Sequence, residues 1–151
     1  MLTAPLPPLD RDWIATHIPH QGSMCLLDAV SAWSPTRIRC TASSHRDPSN
    51  PLRSGNRLGI ACGIEYAAQA MAIHGALLAA SDQPPHQGYL VSVRNVSFGD
   101  ERLDQIDAAL QVDAERLTGD DNTVLYQFHV RSPDQLLLSG RAAVVLDADL
   151  L

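Results

Sequence analysis

The chain carries two hydrophobic periods. From Arg57 to about Ala80 there is no proline, Ala, Leu, Ile and Met dominate, and the apolar positions spread around the helical wheel instead of forming one stripe. That pattern predicts a helix enclosed on most sides by protein, capped by Asn56 and roughly 35 Å long at about 1.5 Å per residue. A membrane span, which needs about 20 apolar residues, is the rival reading. It would carry Glu65, Gln69 and His74 into hydrocarbon, so a buried soluble helix is expected.

Elsewhere the period is two. In "TRIRCTA", Ile38, Cys40 and Ala42 alternate with Arg37, Arg39 and Thr41, which predicts a strand over 36–43. "SDQPPHQ" ends the helix. The runs "GYLVSVRNVSF", "QIDAALQVDAERL", "NTVLYQFHV" and "QLLLSGRAAVVLD" then read as strands separated by the turn sequences "GDERLD", "TGDDN" and "RSPD". Within the second run Ile106, Ala108, Leu110, Val112 and Ala114 share one face and Asp107, Gln111 and Asp113 the other, as in a sheet with one wet side. Near the start, "PPLDRDWIATHIPH" predicts a short helix capped by Asp10 with Trp13, Ile14 and Ile18 inward. "SSHRDPSNPLRSGN" predicts a long loop. One or two strands, a long helix and a four-strand antiparallel meander make one α+β domain over residues 1–151 whose sheet wraps the helix, the arrangement of the hot dog fold.

Composition narrows the function. At 151 residues the chain can bury a core without disulfides or a structural metal. Its formal charge of −6, with scattered arginines, argues against nucleic acid as a partner. No lysine is present, which removes Schiff-base chemistry and a P-loop. Cys25, Cys40 and Cys62 form no C-x-x-C pair and read as buried thiols of a reducing compartment. The opening "MLTAPLPPLDRDW" lacks the pattern of a secretory signal, so the cytoplasm is the expected location.

The candidate chemistry sits in "GIACGIEYAAQAMAIHG", residues 59–75, where Glu65 stands among apolar neighbours. A carboxylate there either reaches solvent or an arginine, or is desolvated, in which case its pKa rises and it holds a proton near neutral pH. Gln69, one turn on, would orient it. His74 falls on the opposite side of the helix and reads as a structural histidine. In "HIPHQGSM", His17 and His20 lie beside a proline and a glycine. They lack further ligands at metal-binding spacing, and His20 is the candidate for moving protons.

"GIEYAAQAMA", "IPHQGSMCLLDAV" and "GYLVSVRNVSF" resemble segments of the 3-hydroxyacyl-[acyl carrier protein] dehydratases of fatty acid synthesis, covering most of residues 18–98. Those enzymes carry their catalytic histidine in a His-x-x-Gly-x-Pro loop. Here the corresponding place is Pro51 in "SNPLRSG", and nearby His45 lacks the flanking Gly and Pro. The sequence is more similar to the variant dehydratase-like proteins of aryl polyene pigment clusters, through Pro19, His20, Met24, Gly63, Ile64, Glu65, Tyr66, Ala68 and Gln69.

The resemblance implies dehydration of a 3-hydroxyacyl thioester on an acyl carrier protein to the 2-enoyl product, with no metal or organic cofactor. His20 is then the expected base and Glu65 the acid that protonates the departing hydroxyl. Backbone N–H groups of Ile60 and Ala61 at the helix start would stabilise the thioester oxyanion. It also implies a homodimer, or a heterodimer with another hot dog subunit, with the cleft at the interface, so that His20 and Glu65 can come from different chains. The carrier protein would dock on Arg53, Arg57 or Arg94. Two alternatives stand beside this reading: an acyl thioesterase, and an inactive subunit supporting an active dehydratase partner.

Overall fold

The computed structural model describes residues 9–79, 89–120 and 122–145. A two-residue strand β1 (Leu9–Asp10) leads into helix α1 (Arg11–His17). Asp10 caps that helix as expected, its carboxylate accepting from the Trp13 N–H at 3.0 Å. Ile14 and Ile18 are buried, and Trp13 is partly so. A 3-10 turn (Gly22–Met24) follows, then strands β2 (Ala29–Ser34) and β3 (Arg37–Ala42). In β3 the residues expected inside, Ile38, Cys40 and Ala42, are buried.

The long helix α2 spans Gly63–Leu78, after a 3-10 turn at Ile60–Cys62. It begins later than the sequence implies, and its 16 residues make it about 24 Å long. Tertiary bonds prevent an earlier start. Asn56 does not cap; it sits at φ +61° in a tight turn whose flanks, Ser54 and Arg57, pair with each other. Leu58 N–H donates to Asp104 Oδ1 at 2.9 Å and Ile60 N–H to Glu101 O at 3.0 Å, which holds this stretch extended against residues 101–104. Ala80 and the helix-breaking "SDQPPHQ" lie outside the described residues.

Strands β4 (Tyr89–Phe98), β5 (Leu110–Gly119), β6 (Thr123–Arg131) and β7 (Leu136–Val145) complete one antiparallel seven-stranded sheet, in the order β1-β2-β3-β5-β6-β7-β4. The expected meander is corrected: β4 pairs with β7 at an edge, and β5 pairs with β3. The β3–β5 register places Ile38 opposite Ala114, Cys40 opposite Val112 and Ala42 opposite Leu110. All six are buried, so the pairing joins two apolar faces across elements far apart in sequence. β5 also starts at Leu110 rather than at Gln105.

The sheet packs on α2 mainly through β3, β5 and β6. Tyr66, Ala67, Ala70, Met71 and Ile73 of α2 are buried with Leu110, Val112, Phe128 and Val130 in one core. His74 is fully buried too: its Nδ1 accepts from Tyr126 Oη at 2.8 Å and its Nε2–H donates to Ser34 O at 2.8 Å, which confirms a structural role. Among the described residues no helix is long and apolar enough to cross a membrane.

Candidate active site

Glu65 lies in the first turn of α2, where the helix dipole favours a negative charge. His20 comes from the segment between α1 and the 3-10 turn. There Gly22 adopts φ +58°, a left-handed value that suits glycine and lets the chain reverse beside the histidine. The two side chains meet within one chain: His20 Nε2 lies 3.1 Å from Glu65 Oε1. One chain alone brings them together, which corrects the expectation of a site drawn from two subunits. Both are partly shielded, with 25% and 33% of their side chains exposed, enough for a bound molecule to reach them.

Gln69 is fully buried and ties the two elements together. Its Nε2 donates to Glu65 Oε1 at 3.2 Å and to Met24 O at 2.7 Å, and its Oε1 accepts from Leu26 N–H at 2.9 Å. The helix thus grips the segment that follows His20.

The Glu65 carboxyl is held below its ordinary value, contrary to the sequence expectation. The His20 hydrogen bond is the largest cause; burial opposes it, and the Gln69 bond adds to it. Hydrogen bonds to the charged form outweigh partial desolvation, so Glu65 rests as a carboxylate beside the His20 ring. An ionised carboxylate only accepts, so Nε2 carries the hydrogen in this contact. His20 Nδ1 is shielded from solvent and has no hydrogen-bond partner among the described residues.

Other expected participants fall differently. Ile60 N–H is committed to Glu101 O and is not free to stabilise an oxyanion in this chain. His17 stacks on Trp13 at 3.9 Å between ring centroids and bonds to Trp13 O, apart from the pair. His45 is buried, its Nε2 bonded to Ile106 O at 3.0 Å, and it serves the loop. Arg53 is likewise occupied, donating to His45 O and Asn56 O, whereas Arg57 and Arg94 are exposed. Cys25 and Cys40 are buried thiols as expected, and Cys62 is only partly so.

Sequence reasoning missed Tyr66. Its buried hydroxyl bonds to Ser44 Oγ at 2.7 Å and accepts from Asn50 Nδ2 at 3.1 Å, while Ser44 Oγ donates to Leu26 O at 2.8 Å. This network fastens the 43–52 loop to α2 beside the His20 segment. A tyrosine next to the acid on an otherwise apolar helix was the available signal, because a buried phenol needs a partner. A separate polar cleft of about 270 Å³ opens among Arg11, Ser23, Asp28, Ser43 and Asp47; neither His20 nor Glu65 lines it.

A helix wrapped by an antiparallel sheet, with an imidazole–carboxylate pair at its first turn, defines a hot dog protein with a site suited to proton transfer. The fold recurs in the dehydratase heterocomplex ApeI:P from Xenorhabdus doucetiae, at TM-score 0.80 and 20% identity over 91% of this chain and 92% of that one. Thioesterase superfamily member 2 of zebra fish matches at TM-score 0.61 and 12% identity, covering 92% and 99%. A thioesterase from Haemophilus influenzae matches at 0.56 and 13%, covering 78% and 76%. No curated protein matches the sequence. The ApeP-like family model, described as ApeP dehydratase, matches residues 13–150, and the chain belongs to that family.

Proposed function

We propose that the protein dehydrates a 3-hydroxyacyl thioester, carried on an acyl carrier protein, to the 2-enoyl thioester. The observation that carries this reading is the 3.1 Å contact between His20 and Glu65 in a chain of a dehydratase family. The pair shares one proton between His20 Nε2 and Glu65 Oε1. With that proton on Glu65, the Nε2 lone pair takes the proton from C2, and the Glu65 carboxylic acid protonates the C3 hydroxyl, which leaves as water while the C2–H electron pair forms the double bond. The pair ends with the proton on Nε2 beside an ionised Glu65, ready for the next turnover. Glu65 is thus an acid only during turnover, which reconciles its expected role with its ionised resting state. With Ile60 committed, Ala61 N–H is the proposed donor to the thioester oxyanion.

Both proton-handling groups lie in one chain, which supports an active subunit over a purely supporting one. The partner is a second hot dog subunit along the free edge of β4, in keeping with the heterocomplex formed by the similar dehydratase. Exposed Arg57 and Arg94 are the proposed contacts for an acidic carrier protein.

One observation favours a second reading: an ionised Glu65 can also take a proton from water and promote thioester hydrolysis. Incubation with a 3-hydroxyacyl carrier and with a saturated acyl carrier separates the two. Enoyl formation from the first without free thiol from the second supports dehydration; thiol release from the saturated carrier establishes hydrolysis instead.

A further inference from the structure

The pattern of the chain is helical from Arg57, yet residues 58–60 run extended beside residues 101–104. Arg57, Leu58 and Ala61 are good helix formers, and Gly59 is the one poor former in this stretch. Three hydrogen bonds hold it out of the helix: Leu58 N–H to Asp104 Oδ1 at 2.9 Å, Leu103 N–H to Leu58 O at 2.7 Å and Ile60 N–H to Glu101 O at 3.0 Å. Asp104 is the side chain in this clasp. Its nearly buried carboxylate is gripped by Arg102, whose Nε donates to Oδ1 at 3.1 Å and whose Nη2 donates to Oδ2. The Arg102 bond, opposed by burial and aided by the Leu58 N–H, holds the Asp104 carboxyl well below the usual carboxylate range. Leu58 therefore has an ionised acceptor at any pH near neutral.

The clasp decides which N–H groups are spent. Beyond it, Cys62 N–H donates to Gly59 O at 3.0 Å and Gly63 N–H to the carbonyls of Ile60 and Ala61. Among the described residues nothing takes the N–H of Gly59 or Ala61, and Ala61, itself exposed, stands four residues before Glu65. Were the helix to begin at Arg57, its ladder would give the Ala61 N–H to Arg57 O. We propose that Asp104 is a positioning residue for the oxyanion donor: by holding Leu58 extended it stops α2 from running back to Arg57, and so keeps the Ala61 N–H unspent for the thioester oxygen. Neither Asp104 nor Arg102 touches the substrate in this scheme. The kinetic consequence rests on the dehydratase reading; the state of the Ala61 N–H does not.

The test follows amide hydrogen exchange by NMR in the full 15N-labelled chain, together with kinetics on a 3-hydroxyacyl carrier. In the wild type the Ala61 amide is expected to exchange as an unprotected group, and its proton resonance to move downfield when a saturated acyl carrier is bound. In Asp104→Ala the Ala61 amide should become protected by about tenfold or more. There kcat should fall by about tenfold or more with KM within about twofold, as for loss of a donor used in the transition state. Asp104→Asn keeps an acceptor for Leu58 N–H and should retain most of both properties. A protected Ala61 amide in the free wild type overturns the proposal. So does Asp104→Ala with Ala61 exchange and kcat unchanged, the outcome for a side chain that only adds stability, and so does protection gained without loss of kcat. If Asp104→Ala does not fold, Arg102→Gln loosens the carboxylate without deleting it; the same two changes in smaller degree support the role, and their absence overturns it. If Ala61 becomes protected but no form of the chain makes enoyl product, the dehydratase reading fails and Asp104 keeps its role at the helix start.

Discussion

Glu65 is the residue on which the proposed chemistry turns, and its environment decides what a substitution does. Glu65→Gln keeps shape and most hydrogen bonding but can neither attract the Nε2 proton nor return it to the hydroxyl. Dehydration should drop by about 10²–10⁴-fold with the fold intact, measured as enoyl formation on a carrier-bound substrate alongside a circular dichroism spectrum. His20→Ala removes the proton acceptor and should cost a similar factor; a loss of only severalfold would mark His20 as a turn residue. Since the Glu65 carboxyl sits below its ordinary value of 4.5, its own protonation should not limit the rate until the pH falls beneath that value. Glu65 and Gln69 were legible in the sequence because helical spacing alone puts them on one face. His20 was a candidate from its loop beside a proline and a glycine and was supported by the resemblance, but its approach to Glu65 was not legible, since it depends on bonds from Gln69 to Met24 and Leu26. The sign of the Glu65 shift was hidden for the same reason: burial could be inferred from neighbouring residues, the imidazole could not.

At the scale of elements, α2 is fastened to the sheet by a polar tether as well as by its apolar face. His74 is kept neutral, its pKa lowered first by burial against the opposing Ser34 bond, with the nearby Arg116 on β5 acting in the same direction as burial. The unfolded chain takes up a proton near the ordinary value of 6.5 and the folded one does not, so stability is full above about that pH and declines as the pH falls toward the lowered folded value. His74→Gln should cost about 1–3 kcal/mol above neutral pH, where Tyr126 and Ser34 lose well-placed partners, and should flatten the decline below. Urea unfolding across that range measures both. Some slope should persist, because burial lowers His45 in the same sense. Element identity was legible wherever the period was clear, as in β3 and α1. Boundaries and neighbours were not: α2 starts late because Asp104 and Glu101 claim the preceding N–H groups, and β5 leaves β4 to join β3 by matching buried faces. Both outcomes are set by long-range partners that local patterning does not contain.

The whole molecule has one conspicuously unfinished border. Among the described residues β4 pairs with β7 on one side only, and on it Tyr89, Leu90, Val91 and Phe98 are 41–52% exposed. An edge strand with this apolar surface offers unpaired backbone groups to another strand unless something covers it. Register breaks at Leu90/Ser92 and Arg94/Ser97, with Asn95 at φ +55°, bend the edge and restrict which strand can follow its course. A second hot dog subunit, presenting the same kind of twisted edge, satisfies both the hydrogen-bonding and the apolar requirement, and this is the assembly proposed here. Val91→Asp places a charge in the middle of that surface while leaving the core of the single chain untouched. Sedimentation should then find monomers where the wild type, alone or mixed with its sister subunit, forms dimers, with the circular dichroism of the chain unchanged. If the site needs the second subunit to enclose the acyl chain, KM for the carrier-bound substrate should rise in step with dissociation. A monomeric wild type that turns over as fast as any mixture would mean that His20 and Glu65 need no neighbour at all.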